Sequence, residues 1–168
     1  MAVRQIVKFP DPRLRQPAAP VTVFDAALTA LAADLLDTMR AAPGIGITAP
    51  HVGVLARVVV LELSPEEGPR TYINPEIVWS SPETFRHAEG SVSMPGAIEE
   101  VERQARVRVR YQDLAGAFQE EEAEGLRAIC HQHECDQIDG IFWLQRLSRL
   151  KRERVVRKYE KAQRSDAG

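Results

Sequence analysis

Residues 131–140 read HQHECDQIDG and bring two histidines, a glutamate, a cysteine and two aspartates into ten positions. On a helix, residues three and four apart share a face, which groups Cys130, His133, Glu134 and Gln137. In a His-Glu-x-x-His arrangement, two imidazoles one turn apart hold a zinc ion. The intervening glutamate then serves as general base for a metal-bound water. The ion matters because it lowers the pKa of bound water from ~15.7 to ~7. Here Gln137 stands where the second imidazole belongs, so the pattern is one ligand short. Alone it is a weak signal, since a helical histidine is commonly a packing or surface residue.

The elements that must position these residues can be traced along the chain. FPDPRLRQPAAPVTVF (9–24) reads as an extended, proline-rich arm lying on the body. Asp25 can cap a helix over 26–41, with Leu28, Leu31, Leu35, Leu36 and Met39 on its buried face. Residues 56–63 and 71–79 read as strands rich in β-branched side chains. A Pro/Ser/Glu-rich connection follows and leads to AEGSVSMPG (88–96). Residues 105–113 alternate Val and Arg, a half-buried strand, and 117–125 can return beside it after the turn at Ala115-Gly116. Residues 125–139 read as the helix that carries the His-Glu pair, and 147–164 as a basic C-terminal helix. The order predicts one α+β domain over 1–168, with a helix packed into sheet.

The bulk numbers narrow the classes. The chain has 168 residues, 44% of them hydrophobic, enough for one core. No run of 18 apolar residues occurs, so no membrane span is expected. The N-terminus lacks a signal-like apolar core. Two helical cysteines five apart, Cys130 and Cys135, are badly placed to pair, which suits a reducing compartment. A cytoplasmic protein without membrane or DNA partners is expected. The charge is uneven. Residues 145–164 carry nine Lys/Arg and two Glu, a surplus of +7 in a chain of net −2. Asp166 carries one opposing charge and residues 1–144 the remaining −8. A basic tail on an acidic body predicts an anionic partner such as RNA, or simply a solvated amphipathic helix.

Three segments together say more than any one. GIGITAPHVG (44–53), EGSVS (89–93) and QHECDQ (132–137) stand in the order and at the separations of three motifs of bacterial peptide deformylases. Those motifs read Gly-x-Gly-x-Ala-Ala-x-Gln, Glu-Gly-Cys-x-Ser and Gln-His-Glu-x-Asp-His. FPDPRLRQPAAPV, INPEI and GLRAICHQHE extend the resemblance over nearly the whole chain. It implies a peptide-deformylase-like α+β fold, with mixed, mostly antiparallel sheets around a central His-Glu helix and a C-terminal helix. It also implies removal of formyl from N-terminal formyl-methionine, with Fe(II) or Zn(II) as cofactor. Partners would be peptide N-termini, and the basic C-terminal helix could meet the ribosome.

Carried over position by position, the resemblance makes Glu134 the acid/base and His133 a metal ligand. Gly44, Ile45 and Gly46 would bind the substrate backbone. Leu126, Ile129 and Cys130 would form the pocket for the methionine side chain. The Val92 N–H would help stabilise the oxyanion. The departures fall on the chemistry. Ser91 replaces the ligand cysteine, Gln137 the second histidine ligand, and His51 the oxyanion-binding glutamine. Ile98 stands where many members have a substrate-binding arginine, with Glu99, Glu100 and Glu102 adding an acidic rim. A hydroxyl and an amide are poor donors beside imidazole. Weak or absent metal binding is therefore expected, leaving a binder of peptide N-termini or a ribosome-docking protein. The alternative is an active metal-dependent deformylase with altered ligands. His51 is the first candidate to compensate, with His131 and His87 less suited and otherwise ordinary surface residues.

Overall fold

The protein is described by a computed structural model covering residues 2–167. Asp25 begins the first helix: its carboxylate accepts the Leu28 N–H at 3.1 Å, and α1 runs Ala26–Ala41. Leu28, Leu35 and Met39 are buried on its inner face, with Leu31 and Leu36 partly buried beside them. The strands follow as β1 (Gly46–Thr48), β2 (Val58–Leu61), β3 (Arg70–Ser80), β4 (Thr84–Ser91), β5 (Met94–Gln104), β6 (Arg106–Gln112) and β7 (Phe118–Glu124). Then come α2 (Gly125–Ile138) and α3 (Arg149–Ala167).

Five strands form one antiparallel sheet in the order β1-β2-β3-β6-β7. All four residues of β2, VVVL, are buried, so this strand is covered on both faces. In β6, Val107 and Val109 point inward, while Arg106, Arg108 and Arg110 lie opposite Glu124, Glu122 and Glu120 of β7. That is the alternation expected of a strand with one wet face. Helix α2 lies against this sheet, with Ala128, Ile129, Cys130, Cys135 and Ile138 buried. Both thiols are free. Among the described residues, no helix is long and apolar enough to cross a membrane.

Three expectations need correction. The Pro/Ser/Glu-rich connection is a two-stranded hairpin of β4 and β5. Its first strand buries only Glu89, so it has no apolar period to read. The hairpin folds because Met94, Ala97 and Val101 pack against Phe142, Trp143, Val155 and Tyr159 from the C-terminal part of the chain. The N-terminal arm is not wholly extended. Asp11 caps a 3-10 turn at Pro12–Arg15, which drives Leu14 into the core. The C-terminal helix starts at 149, not 147, because Leu147 is buried and Ser148 accepts the Lys151 N–H at 3.3 Å as a cap.

Candidate active site

A cavity of about 500 Å³ opens between the β1 segment, the end of β4 and the first turns of α2. Gly44, Ile45, Gly46, His51, Ser91, Val92, Leu126, Ile129, Cys130, His133 and Glu134 all line it. These residues come from three separate stretches of chain, and the sheet and helix bring them together.

Glycine is required where the backbone presses on the chemistry. A Cβ on Gly46 would stand 2.5 Å from Glu134 Oε2, and one on Gly44 2.9 Å from Val92 Cγ1. Any larger residue at 46 would displace the glutamate. Glu134 itself is buried, and its Oε1 has no hydrogen-bond partner. Burial pushes its carboxyl up to about 7, with the Glu89 charge adding to the rise and His133 opposing it.

His133 donates from Nδ1 to Glu89 Oε1 at 2.8 Å. Its Nε2 stands 3.8 Å from Glu134 Oε1. Burial lowers the affinity of this ring for a proton, but Glu89 and Glu134 outweigh it and raise the pKa above the ordinary imidazole value. Glu89 is also gripped by Arg103, which donates from Nε at 2.8 Å and from Nη2 at 2.9 Å. Burial alone would raise Glu89, yet Arg103 and His133 hold it at about 2. Arg103 donates on to Asp136, which also accepts from Arg146. The result is a buried ionic chain from α2 to the hairpin and back.

His51 is buried, and its Nδ1 accepts the Thr48 N–H at 2.9 Å, with the Thr48 hydroxyl at 3.0 Å. The neutral ring therefore carries its proton on Nε2, which has no partner. Burial, with the His133 charge, holds its pKa down to about 3. A ring in this tautomer is a hydrogen-bond donor into the cavity and has no lone pair there for a metal.

Of the residues to which the resemblance gives a catalytic, substrate-binding or metal-ligating role, Gln137 alone lies outside the cavity lining. Its Nε2 donates to the Leu14 carbonyl at 2.7 Å, tying the helix to the N-terminal arm. Ser91 Oγ accepts the Ser93 N–H at 3.1 Å. Among the described residues, no three His, Cys, Asp or Glu side chains converge as a metal-ligating group. His131, expected at the surface, is buried and faces away, its Nε2 2.6 Å from Glu121 Oε2. His87 is exposed on the cavity rim, its Nδ1 2.8 Å from the Ala88 carbonyl oxygen. Ile98 lines the mouth, but Glu99, Glu100 and Glu102 do not, so the expected acidic rim is not part of this cavity. β5 carries them along its length away from the mouth. Sequence reasoning missed Ile6 and Lys8 on the lining, and Arg103 beneath it. Nothing local marks a buried arginine whose partners lie 14 and 33 residues away.

Comparison with known proteins agrees with this geometry. A family model described as polypeptide deformylase matches residues 3–153. A Brucella melitensis biotype 1 protein called peptide deformylase-like is 69% identical over 164 residues, covering 98% of this chain and 100% of its own length. A peptide deformylase of Phenylobacterium zucineum is 47% identical, covering 96% of this chain and 97% of its own. The crystal structure of a peptide deformylase from Legionella pneumophila superposes with a TM-score of 0.93 at 40% identity, over 99% of this chain and 98% of that one. The Ehrlichia chaffeensis enzyme in complex with actinonin superposes with a TM-score of 0.91 at 36% identity, over 98% and 99%. On the family match and on identities that span almost the entire sequence, this chain belongs to the peptide deformylase family.

Proposed function

We propose that this chain binds peptide N-termini, formyl-methionyl ones included, in the cytoplasm, and that metal-dependent deformylation by it is weak or absent. The observation that carries this reading is the donor set. The three positions that would hold Fe(II) or Zn(II) are Ser91, His133 and Gln137. One is a neutral hydroxyl that already accepts a backbone N–H. Another is an amide turned to the Leu14 carbonyl. His51 cannot replace them while Nδ1 accepts the Thr48 N–H, because Nε2 then holds the proton. These residues do not fit the ion. What remains suits binding: the glycine-lined backbone at 44–46, the apolar wall of Leu126, Ile129 and Cys130, and the Glu134 carboxyl on the lining, whose Oε1 has no hydrogen-bond partner.

The second reading is an active deformylase with altered ligands. Its support is Glu134, retained and poised at about 7, the range that suits a general acid/base near neutral pH. One experiment decides between the two. Protein purified without added metal is analysed for Fe and Zn and assayed on a formyl-methionyl peptide. The expected result is far less than one ion per chain and no chelator-sensitive turnover. Stoichiometric metal with turnover that a chelator removes establishes the second reading instead.

Docking on the ribosome through α3 is part of the same proposal, because it would bring new N-termini to the cavity. Arg154, Arg157, Lys158, Lys161 and Arg164 are exposed along this helix. Val155 and Tyr159 on its other face belong to the core, so deleting the helix would also strip apolar cover from Met94, Val101 and Phe142. Reversing the charge at 157, 161 and 164 is the cleaner test. It should reduce co-sedimentation with ribosomes, most at low salt. Unchanged sedimentation refutes the docking.

A further inference from the structure

The side chains that make a poor metal site make a different reactive centre. His133 donates its Nδ1 proton to Glu89 Oε1 at 2.8 Å, which leaves Nε2, 3.8 Å from Glu134 Oε1, as the ring atom that can exchange a proton on the cavity side. Glu89 cannot turn away, because two Arg103 N–H groups hold its carboxylate and Arg103 is anchored on Asp136. Ser91 lies two residues beyond Glu89 on β4, with a register shift between them, and faces the same cavity. Its Oγ accepts the Ser93 N–H at 3.1 Å, and its proton has no acceptor among the described residues. His51 lines the same cavity, and its buried Nε2–H has no hydrogen-bond partner. A hydroxyl, an imidazole oriented by a buried carboxylate, and an isolated donor for negative charge are the parts of a serine acyl-transfer site.

We propose that Ser91, His133 and Glu89 form a metal-independent nucleophilic site that takes the acyl group from an N-acylated peptide. The proposal rests on the reading that the cavity receives peptide N-termini. His133 Nε2 takes the Ser91 proton as Oγ bonds to the acyl carbon, and His51 Nε2–H donates to the oxygen that becomes negative. The C–N bond then breaks, the nitrogen accepts the proton from His133, and the free α-amine leaves. Water attacks the Ser91 ester after giving a proton to His133, the C–O bond to Ser91 breaks, and Oγ recovers that proton. The acid released is formic acid when the acyl group is formyl. No electron is transferred, and water is the sole co-reactant. Ser91 and His133 are not hydrogen-bonded to each other in the resting structure. Such bonds are commonly long before substrate arrives.

The test treats the full-length, chelator-stripped protein with a fluorophosphonate, whose phosphorus bonds to an activated serine Oγ as fluoride leaves. The expected result is a single adduct, mapped by mass spectrometry to Ser91 and absent in Ser91→Ala. His133→Gln should slow the labelling by at least ~100-fold, the low end of what a positioned base contributes. Ser91 should also outpace the exposed Ser148 by a similar factor in the wild type, a comparison that does not depend on any variant folding. An unmodified Ser91, or a Ser91 no faster than Ser148, overturns the proposal. So does equal labelling in wild type and a folded His133→Gln. Excess formyl-methionyl peptide should protect Ser91. Labelling without protection would keep the nucleophile and refute the peptide reading of the cavity, so the two failures are distinguishable.

Discussion

His131 and His133 are two residues apart on α2 and live in opposite chemical worlds. On the His131 side, Nε2 meets Glu121 at 2.6 Å, and Glu121 also accepts from the Tyr72 hydroxyl at 2.9 Å and from Arg70 at 3.0 Å. The Tyr72 ring stands edge-on to both His131 and Tyr111. None of the buried side-chain polar atoms in that cluster lacks a partner among the described residues. On the His133 side, Glu134 Oε1 and His51 Nε2 are both buried without a hydrogen-bond partner. A folded chain rarely tolerates such atoms, because each costs about 1–3 kcal/mol. The difference separates scaffold from site: one face of the helix satisfies its charges internally, and the other holds them open for a ligand.

Three experiments can break or sharpen this contrast. The largest effect belongs to the closed face. Glu121→Ala leaves His131, Arg70 and the Tyr72 hydroxyl without their common acceptor. It should lower unfolding free energy by ~3–5 kcal/mol, read by urea denaturation. A loss below ~1 kcal/mol would mean that the cluster is not structural. Next, the open face can be rebuilt. Ser91→Cys with Gln137→His should raise Zn²⁺ affinity by more than ~100-fold, measured by chelator competition. Groups that merely orient a ligand already account for about 10–100-fold. No gain would show that the positions at 91 and 137 do not converge with His133.

The smallest effect is a pH dependence with the opposite sign to Glu121→Ala. The Glu134 carboxyl titrates at about 7 in the folded chain against 4.5 as the ordinary value. The folded state therefore holds the proton more tightly between those values, and wild-type stability falls as pH rises through them. Glu134→Gln removes that loss. The variant should be ~1–3 kcal/mol more stable than the parent above pH ~7, and the two should converge near pH ~4.5. Equal stabilities across that range would contradict a buried, unpartnered carboxylate.

Much of this site could be read in advance. The three motif segments held the 44–46 backbone, His51, Ser91, Val92, His133 and Glu134, all of which line the cavity, and also Gln137, which turns elsewhere to bond the Leu14 carbonyl; Leu126, Ile129 and Cys130 came from the wider resemblance around them. Helix α1 and the Val/Arg strand were visible because their burial follows a simple period, whereas α2, buried almost all round from Ala128 to Ile138, was visible through its motif. The β4–β5 hairpin was not, because what covers it comes from Phe142, Trp143 and Tyr159, roughly fifty residues onward. Arg103 was invisible for the same reason.

Residue order alone determined the family, the α+β architecture and which side chains could react, since these depend on local periodicity and on motif spacing. Only the tertiary structure decided which atoms are left without partners. Pairing His131 with Glu121, His133 with Glu89 and His51 with Thr48 sets where each proton and lone pair points. A hydrogen-bond partner is a property of neighbours in space, and no stretch of sequence carries it.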